Sequence, residues 1–184
     1  MRCVWAENSK NPVMVKYHDE EWGRPIHEDQ KHFEFVVLES AQAGLSWEII
    51  LNRRENYRKA FADFNPVKVA KYTEEKILRL LQNEGIIRNQ LKIRATVTNA
   101  QAFLKIQKEF GSFDRYIWGF VKNKTIVRRP CGRGDFRATD KTSELLSKDL
   151  KARGFKFMGS TICYAHMQAI GLIDEHQKNC FRAK

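Results

Sequence analysis

Residues 155–172 read FKFMGSTICYAHMQAIGL, which is a short apolar stretch, a Gly-Ser turn, and a second helical pattern from Thr161 onward. The preceding segment 140–153, DKTSELLSKDLKAR, is also helical, and Gly154 stands where a left-handed C-terminal cap belongs. Together these stretches predict two helices joined by a tight hairpin over about residues 142–170. A glycine turn between helices also occurs in hairpins that are simply packed in a core, so this pattern alone leaves the function open.

Such a turn leaves backbone N–H groups at the start of the second helix pointing outward, and the helix dipole favours an anion there. Gly159, Ser160 and Thr161 are therefore candidate contacts to a DNA phosphate. The formal net charge of +11 favours a polyanionic partner and salt-dependent binding. A generally basic protein would have the same composition, because charge alone does not place the basic side chains on one face.

Through most of the middle of the chain, apolar residues recur at spacings of three and four, and Pro and Gly are few, at 4 and 10 of 184 residues. This pattern predicts an all-α protein. Helices are expected over residues 28–41, 74–83 and 89–110, with another opened by Asn65 as its N-cap. The hydrophobic content of 42% and aromatic content of 11% exclude a disordered chain and predict one bilobed domain over residues 1–184.

Residues 122–139, KNKTIVRRPCGRGDFRAT, lack a sustained period and predict a mobile basic loop, whose arginines either reach phosphates or stay solvated. No apolar run approaches the roughly 20 residues of a membrane span, and the first residues lack the apolar stretch of a signal peptide. We therefore expect a cytoplasmic protein without membrane contact, in which the cysteines are ligands or core residues rather than disulfides. Nothing in the sequence bears on the oligomeric state, and a monomer is the default expectation.

Four potential metal ligands lie at the two ends of the chain: Cys3, His18, His176 and Cys180. Zinc favours tetrahedral sets of thiolates and neutral imidazoles, and the last two residues have the spacing of ligands on one helical turn or tight loop. One ion would then join the N- and C-terminal segments. The long gap between the two halves matches no compact zinc-finger spacing, and on spacing alone four unrelated residues near frayed ends are an equal alternative.

Residues 38–50, LESAQAGLSWEII, combine an acid, an amide and an indole among small residues. Glu39 and Gln42 can share a helix face, and Trp47 follows the Gly-Leu-Ser break. The nearby YHDEEWG stretch adds three more rings, those of Tyr17, His18 and Trp22. Such an aromatic box with an acid at its floor suits a planar cation. A plain core role is the alternative for each tryptophan, but a buried glutamate without a cationic partner would be costly.

Six motifs occur along the chain from Cys3 to Cys180: Cys3-x-Trp5, YHDEEWG, LESAQAGLSW, RRENYR, GIIRNQLKI and RGFKFMGSTICYAHMQAIGLIDEH. In this order and at these intervals, they resemble the family of 3-methyladenine DNA glycosylase I. The resemblance implies an all-helical member of the helix-hairpin-helix DNA glycosylase superfamily, with a zinc site tying the two ends together through Cys3, His18, His176 and Cys180. Zinc would be structural, because four protein ligands leave no position for a catalytic water.

The resemblance also implies that Tyr17, Glu39 and Trp47 form the pocket for a flipped base, with Trp5 and Gln42 as further members. The implied activity is hydrolysis of the N-glycosidic bond of 3-methyladenine in alkylated duplex DNA. Methylation at N3 gives the base a positive charge and makes it a good leaving group, so selectivity can come from the pocket. A damaged base also costs less to extrude from the duplex.

Members of the superfamily that cleave the strand carry a lysine shortly after the hairpin glycine, where this chain has Ser160 and Thr161, so a monofunctional glycosylase is expected. Other members keep a catalytic aspartate near the position of Asp174. For this residue we favour a role in supporting His176 or capping a helix.

Two alternatives remain open at the level of sequence. The first is a non-enzymatic, zinc-stabilised DNA-binding module, which would have no use for Glu39 among aromatic residues. The second is a glycosylase for another small lesion, such as 3-methylguanine or a neutral base.

Overall fold

The computed structural model describes residues 1–183, apart from the side chain of Arg133. The helices over these residues are α1 Val4–Glu7, α2 Pro12–Glu20, α3 Asp29–Gln42, α4 Trp47–Asn52, α5 Arg54–Ala60, α6 Pro66–Val69, α7 Glu74–Leu81, α8 Gln90–Phe110, α9 Phe113–Gly119, α10 Lys141–Ala152 and α11 Ser160–Ala169. Single 3₁₀ turns lie at Ala62–Phe64 and Arg133–Asp135, and a parallel pair of strands is formed by β1 Ile126–Val127 and β2 Ile173–Asp174. The chain is mostly helical, as predicted. None of the helices within residues 1–183 is long and apolar enough to cross a membrane.

The long helices begin and end close to the predicted residues. The segments 28–41, 74–83 and 89–110 correspond to α3, α7 and α8. Asn65 caps α6 as predicted, because its side chain accepts a hydrogen bond from the backbone N–H of Lys68 at 3.0 Å. Local capping and periodicity therefore predict these elements well, although α6 is only one turn long.

The basic segment 122–139 is largely without helix, as predicted, but part of it is held firmly against the rest of the protein. The strand β1 pairs with β2. Arg128 lies 2.6 Å from the carboxylate of Asp140, and Arg129 lies 2.8 Å from that of Asp174. The expectation of a mobile loop did not anticipate these contacts, because a strand of two residues is too short to produce a periodic signal.

The predicted hairpin corresponds to α10, a turn over residues 153–159, and α11. Gly154 has φ +96° after the end of α10, which is the predicted left-handed cap. Within the turn, the backbone N–H of Phe155 donates to the carbonyl of Leu150 at 2.9 Å, and the Ser147 hydroxyl donates to the carbonyl of Met158 at 2.8 Å. These bonds fix the direction in which α11 leaves the turn.

The helix α3 lies in the middle of one continuous cluster of buried residues. Its predicted apolar face is buried, and so is the opposite face, because every residue from 32 to 41 is buried. A helix that is buried on all sides usually carries apolar residues all round, yet this one includes the acids Glu34 and Glu39. Their surroundings define the candidate site. A bilobed division of the domain stays a prediction.

The N- and C-terminal segments lie against each other through backbone contacts. The N–H of Gly23 donates to the carbonyl of Gln168 at 2.9 Å, and the N–H of Ile26 donates to that of Ile170 at 3.1 Å. Gly171 permits this approach, because it has φ +76° and an added Cβ would lie 2.2 Å from the backbone of Arg24. The two ends of the chain are thus parts of one packed unit.

Candidate functional site

A cleft of about 350 Å³ is lined by residues from α1, α2, α3, α4 and α11, a size suited to a small ligand. All five residues predicted for a base pocket line it: Trp5, Tyr17, Glu39, Gln42 and Trp47. The remaining lining consists of Met14, Trp22, Phe136, Arg137, Ala165 and Gln168. Side chains from both ends of the chain therefore meet at one cavity.

The carboxylate of Glu39 is the most unusual group in this cleft. The side chain is only 2% exposed, and its Oε2 has no hydrogen-bond partner among the described residues. Burial raises the pKa of Glu39 to about 8, because a charged carboxylate is poorly solvated away from water. An adjacent cation would remove this penalty.

A second acid on the same helix provides a direct comparison. Glu34 is also buried, at 3% exposed, but it is surrounded by cations. Arg54 donates to it at 2.7 Å, Lys31 lies at 2.9 Å, and Arg58 lies at 3.2 Å. The fold thus satisfies one buried acid with its own side chains and leaves the other facing the cleft without a counter-charge.

Aromatic rings form the walls around Glu39. The indole of Trp47 lies 5.5 Å from the ring of Tyr17, tilted by 54°, and 6.5 Å from the ring of Phe35 in a stacked arrangement. Trp47 begins α4 and is held there by Ser46, whose side chain accepts from the N–H of Ile49 at 3.4 Å. The indole Nε1 of Trp47 is buried and has no hydrogen-bond partner within residues 1–183, so the cleft contains an unpaired donor as well as an unpaired acceptor.

Tyr17 and Trp5 complete the walls near the N-terminus. Burial, followed by the nearby Glu39 carboxylate, holds the pKa of Tyr17 well above its ordinary value, so its hydroxyl keeps its proton and is available as a donor. Trp5 lies edge-on to Trp22, with ring centroids 5.2 Å apart. The walls are therefore a continuous set of rings, suited to a planar guest.

The predicted metal ligands also lie together. Ligand atoms of Cys3, His18 and Cys180 are all within 4.8 Å of one another, and these residues are buried. The Cys180 Sγ lies 3.5 Å from the His18 Nε2. The fourth predicted ligand, His176, lies beside this group, with its ring centroid 5.2 Å from that of His18, and its Nε2 is buried without a hydrogen-bond partner in the described part of the chain.

Both histidines are oriented by carboxylates. The Nδ1 of His18 lies 2.8 Å from Asp19, and the Nδ1 of His176 lies 2.7 Å from Asp174. A carboxylate that accepts the Nδ1 proton leaves Nε2 without a proton, which is the arrangement usually found for histidines that bind metals. The Nε2 of His18 accepts a hydrogen bond from the N–H of Cys3 at 3.3 Å. The donor set of two thiols and two imidazoles fits zinc. Asp174 contacts His176, and the supporting role favoured for it from the sequence stays a prediction.

The cluster of cysteine and histidine side chains lies beside the cleft. The ring of Trp5 is 5.2 Å from that of His18, and the ring of Trp22 is 4.7 Å from that of His176. Interactions that fix the two histidine rings therefore also fix the indoles of Trp5 and Trp22, which line the cleft.

The candidate phosphate contacts Gly159, Ser160 and Thr161 lie at the start of α11, as predicted. Gly159 is its N-cap and provides no side-chain hydrogen bond, and Thr161 is exposed. The first N–H groups of this helix therefore have no side-chain cap. The structure places these residues as predicted, and phosphate binding by them stays a prediction.

Reasoning from the sequence missed five residues that line the cleft: Met14, Phe136, Arg137, Ala165 and Gln168. Ala165 and Gln168 are three positions apart on α11, and this spacing could have indicated a common face of the helix. No spacing pattern of this kind indicated Met14, Phe136 or Arg137.

Comparisons with known proteins agree on one family. The methyladenine glycosylase family model matches residues 5–183. The chain is 45% identical to DNA-3-methyladenine glycosylase 1 of Escherichia coli strain K12 over 179 residues, which is 97% of this chain and 95% of that protein. A crystal structure of 3-methyladenine DNA glycosylase I is similar at a TM-score of 0.96 and 43% identity, covering 100% of both chains. The Staphylococcus aureus enzyme, whose structure concerns 3-methyladenine recognition, is similar at a TM-score of 0.94 and 40% identity, covering 97% of this chain and 95% of that one.

We predict that Glu39→Gln stabilises the protein, and that the gain increases with pH. In the folded protein the pKa of Glu39 is raised from its ordinary 4.5 to about 8, so the stability of the wild type falls as pH rises between these values and levels off above them. Because the glutamine side chain does not ionise, the stability of Glu39→Gln lacks this dependence on pH. Because one pKa unit corresponds to about 1.4 kcal/mol, this shift sets an upper limit of about 5 kcal/mol for the gain at pH 8.5.

Denaturant unfolding from pH 4.5 to 9 measures this gain. Glu84→Gln is the matched control, because Glu84 is 84% exposed, and it should follow the wild type. If the free energy of unfolding changed with pH in the same way for Glu39→Gln and the wild type, burial would not be raising the pKa of Glu39.

Proposed function

The chain belongs to the methyladenine glycosylase family, and from this premise we infer that it is a base-excision DNA glycosylase that hydrolyses the N-glycosidic bond of 3-methyladenine in alkylated DNA. The observation that carries this function is the Glu39 carboxylate, which is buried without an ion-pair partner among the described residues, in a cleft walled by Tyr17 and Trp47. A non-enzymatic DNA-binding module would have no use for such a group.

We propose that Glu39 selects the damaged base by its charge. Methylation at N3 leaves adenine positively charged while it is attached to the sugar, and this cation makes the ionised carboxylate favourable in the cleft. The carboxylate also accepts a hydrogen bond from the exocyclic amine. A neutral adenine has no such charge, so the cost of ionising Glu39 beside it stays uncompensated.

The bond-breaking step itself needs little help from an acid. When the bond between the sugar C1′ and the base breaks, its electron pair neutralises the charged ring, so the base leaves without being protonated. Water adds to C1′ and loses a proton to the solvent. The cleft lowers the barrier by holding the flipped base in place, and stacking on an indole such as Trp47 contributes about 1–3 kcal/mol per base.

We propose that the enzyme is monofunctional. Strand cleavage by related glycosylases uses a lysine amine, and none of the described residues that line the cleft is a lysine. The residues after the hairpin glycine are Ser160 and Thr161. The expected product is therefore an abasic site in an intact strand.

We predict that Glu39→Gln lowers the rate of 3-methyladenine release at least about 100-fold, because the amide keeps the shape of the side chain but cannot complement a cation, a loss of about 3 kcal/mol. Free base released from methylated duplex DNA is identified by chromatography, and strand breaks are measured on the same samples. Glu84→Gln should match the wild type.

Two outcomes would count against the proposed activity. A folded wild type that binds duplex DNA but releases no base would favour the binding module. Release of 3-methyladenine by Glu39→Gln at the wild-type rate would remove the proposed role of the carboxylate.

We further propose that the hairpin binds a DNA phosphate at the N-terminus of α11, through Gly159, Ser160 and Thr161. The uncapped N–H groups and the positive end of the helix dipole support an anion there, and the net charge of +11 favours duplex DNA as the partner. The protein is proposed to act as a monomer.

Thr161→Glu tests the phosphate contact. The added carboxylate would lie beside the phosphate, so we expect roughly tenfold weaker binding to undamaged duplex and a smaller salt dependence. Gln90→Glu is the control, because it adds the same charge to the exposed first turn of α8, and it should bind as the wild type does. Equal affinity of both variants in a salt titration would argue against the proposed contact.

Finally, we propose that Cys3, His18, His176 and Cys180 hold one structural zinc ion. The carboxylates that orient both histidines, and the buried unpaired Nε2 of His176, support this proposal. A bound ion would join the two ends of the chain and stabilise the folded state. It would also hold Trp5 and Trp22, which lie against the two histidines.

We expect one zinc ion per chain by metal analysis, and a fall in Tm of about 10 °C or more when a chelator removes it. Base release should fall in parallel. Cys180→Ser should behave like the chelated protein, while Cys131→Ser, at an exposed cysteine, should resemble the wild type. A zinc-free protein with an unchanged Tm and full activity would refute this proposal.

A further inference from the structure

Gln168, which sequence analysis did not single out, lines the cleft and is held by a buried acid. Its Nε2 donates to the Oε2 of Glu175 at 2.5 Å. Glu175 is only 1% exposed, and its Oε1 accepts a hydrogen bond from the hydroxyl of Tyr164 at 2.9 Å. Both oxygens of this buried carboxylate are therefore paired, one of them by the wall of the cleft.

The network continues away from the cleft to the start of α10. The hydroxyl of Tyr164 accepts from Nη1 of Arg128 at 2.5 Å, and Nη2 of Arg128 donates to Asp140 at 2.6 Å. Asp140 is the N-cap of α10, where it accepts from the N–H of Ser143 at 2.7 Å. A buried network in which each member is paired favours a single geometry, so the side chain of Gln168 is held in one orientation.

This orientation decides which end of the Gln168 amide faces a ligand. A side-chain amide has a donating NH₂ end and an accepting carbonyl end. Because the carboxylate of Glu175 takes the NH₂ end, the carbonyl Oε1 is the free end. No described group donates to it, and the residue is half-buried at the cleft. The lining of the cleft therefore includes a second acceptor of fixed orientation in addition to Glu39.

We propose that Gln168 is a specificity-determining residue, whose carbonyl accepts a hydrogen bond from the exocyclic amine of the flipped base, and that Glu175 is the positioning residue that fixes its amide. This proposal rests on the glycosylase function proposed above. The amine of 3-methyladenine has two hydrogens, one for each of the acceptors on Glu39 and Gln168.

The proposal concerns the choice between two lesions of similar shape and charge. At the position where adenine has an amine donor, guanine has the O6 carbonyl, which is an acceptor. Placing O6 of 3-methylguanine against a fixed carbonyl brings two acceptors together and leaves both unpaired, and sites built to pair a donor reject analogues that lack it. Positive charge alone cannot separate these two lesions, so the selection falls to the two acceptors that face the amine, the Glu39 carboxylate and the fixed carbonyl of Gln168.

The experiment uses methylated duplex DNA that contains both lesions and measures the initial rates of 3-methyladenine and 3-methylguanine release in one reaction. For Gln168→Leu, which keeps the bulk but removes the acceptor, we expect the ratio of the two rates to fall about tenfold, mainly through slower release of 3-methyladenine. For Glu175→Gln, which allows the Gln168 amide to turn, we expect a fall of about threefold. Zinc content and thermal melts are recorded for every variant.

Gln101→Leu is the matched control, because Gln101 on α8 is exposed and its amide donates to the carbonyl of Ala70 at 3.2 Å. The ratio of 3-methyladenine release to 3-methylguanine release by Gln101→Leu should equal that of the wild type. A purely structural role for Gln168 would slow the release of both bases equally and leave the ratio unchanged, and this result would overturn the proposal. If Gln168→Leu does not fold, an unchanged ratio for folded Glu175→Gln would overturn it as well. Absence of 3-methyladenine release by the wild type would instead contradict the proposed function itself.

Discussion

The unpaired burial of one carboxylate is the constraint on which the rest of this structure depends. Glu34 and Glu39 lie on the same buried helix, yet only Glu34 is surrounded by arginine and lysine side chains. Burying Glu39 opposes folding whenever it is ionised, and the large aromatic core around α3 must offset this cost. The arrangement is useful because the missing counter-charge can be provided by a ligand, and a ligand that provides it is thereby selected for its positive charge.

A cleft of this kind functions only if its walls keep their positions, and the two ends of the chain hold them. Trp5 lies against His18, and Trp22 lies against His176, in the cluster of cysteine and histidine side chains. On the other side, Gln168 is connected through Glu175 and further side chains to the start of α10. The hairpin proposed to bind DNA therefore shares a helix and a hydrogen-bond network with the cleft, so the same elements position the proposed phosphate contact and the proposed base pocket.

Much of this architecture could be predicted from local sequence signals. Periodicity and caps located α3, α7, α8, α10 and α11 closely, because these signals involve residues only a few positions apart. The grouping of the aromatic residues with Glu39 was also anticipated, chiefly because long motifs resemble a known family. The pairing of residues 126–127 with residues 173–174 was not anticipated. A strand of two residues has no period, and its partner strand is distant along the chain.

The sequence by itself determined the helical class, the principal helices, the residues of an aromatic and acidic pocket, and the four candidate metal ligands. It did not show how Glu39 would be left without a partner while Glu34, on the same helix, was paired. That was decided by the tertiary structure, since α5 brings Arg54 and Arg58 to Glu34, whereas none of the described cations forms an ion pair with Glu39. Likewise, the free carbonyl of Gln168 follows from its bond to Glu175. Unpaired charges and fixed amide orientations are properties of three-dimensional neighbours, and local sequence patterns carry no record of these neighbours.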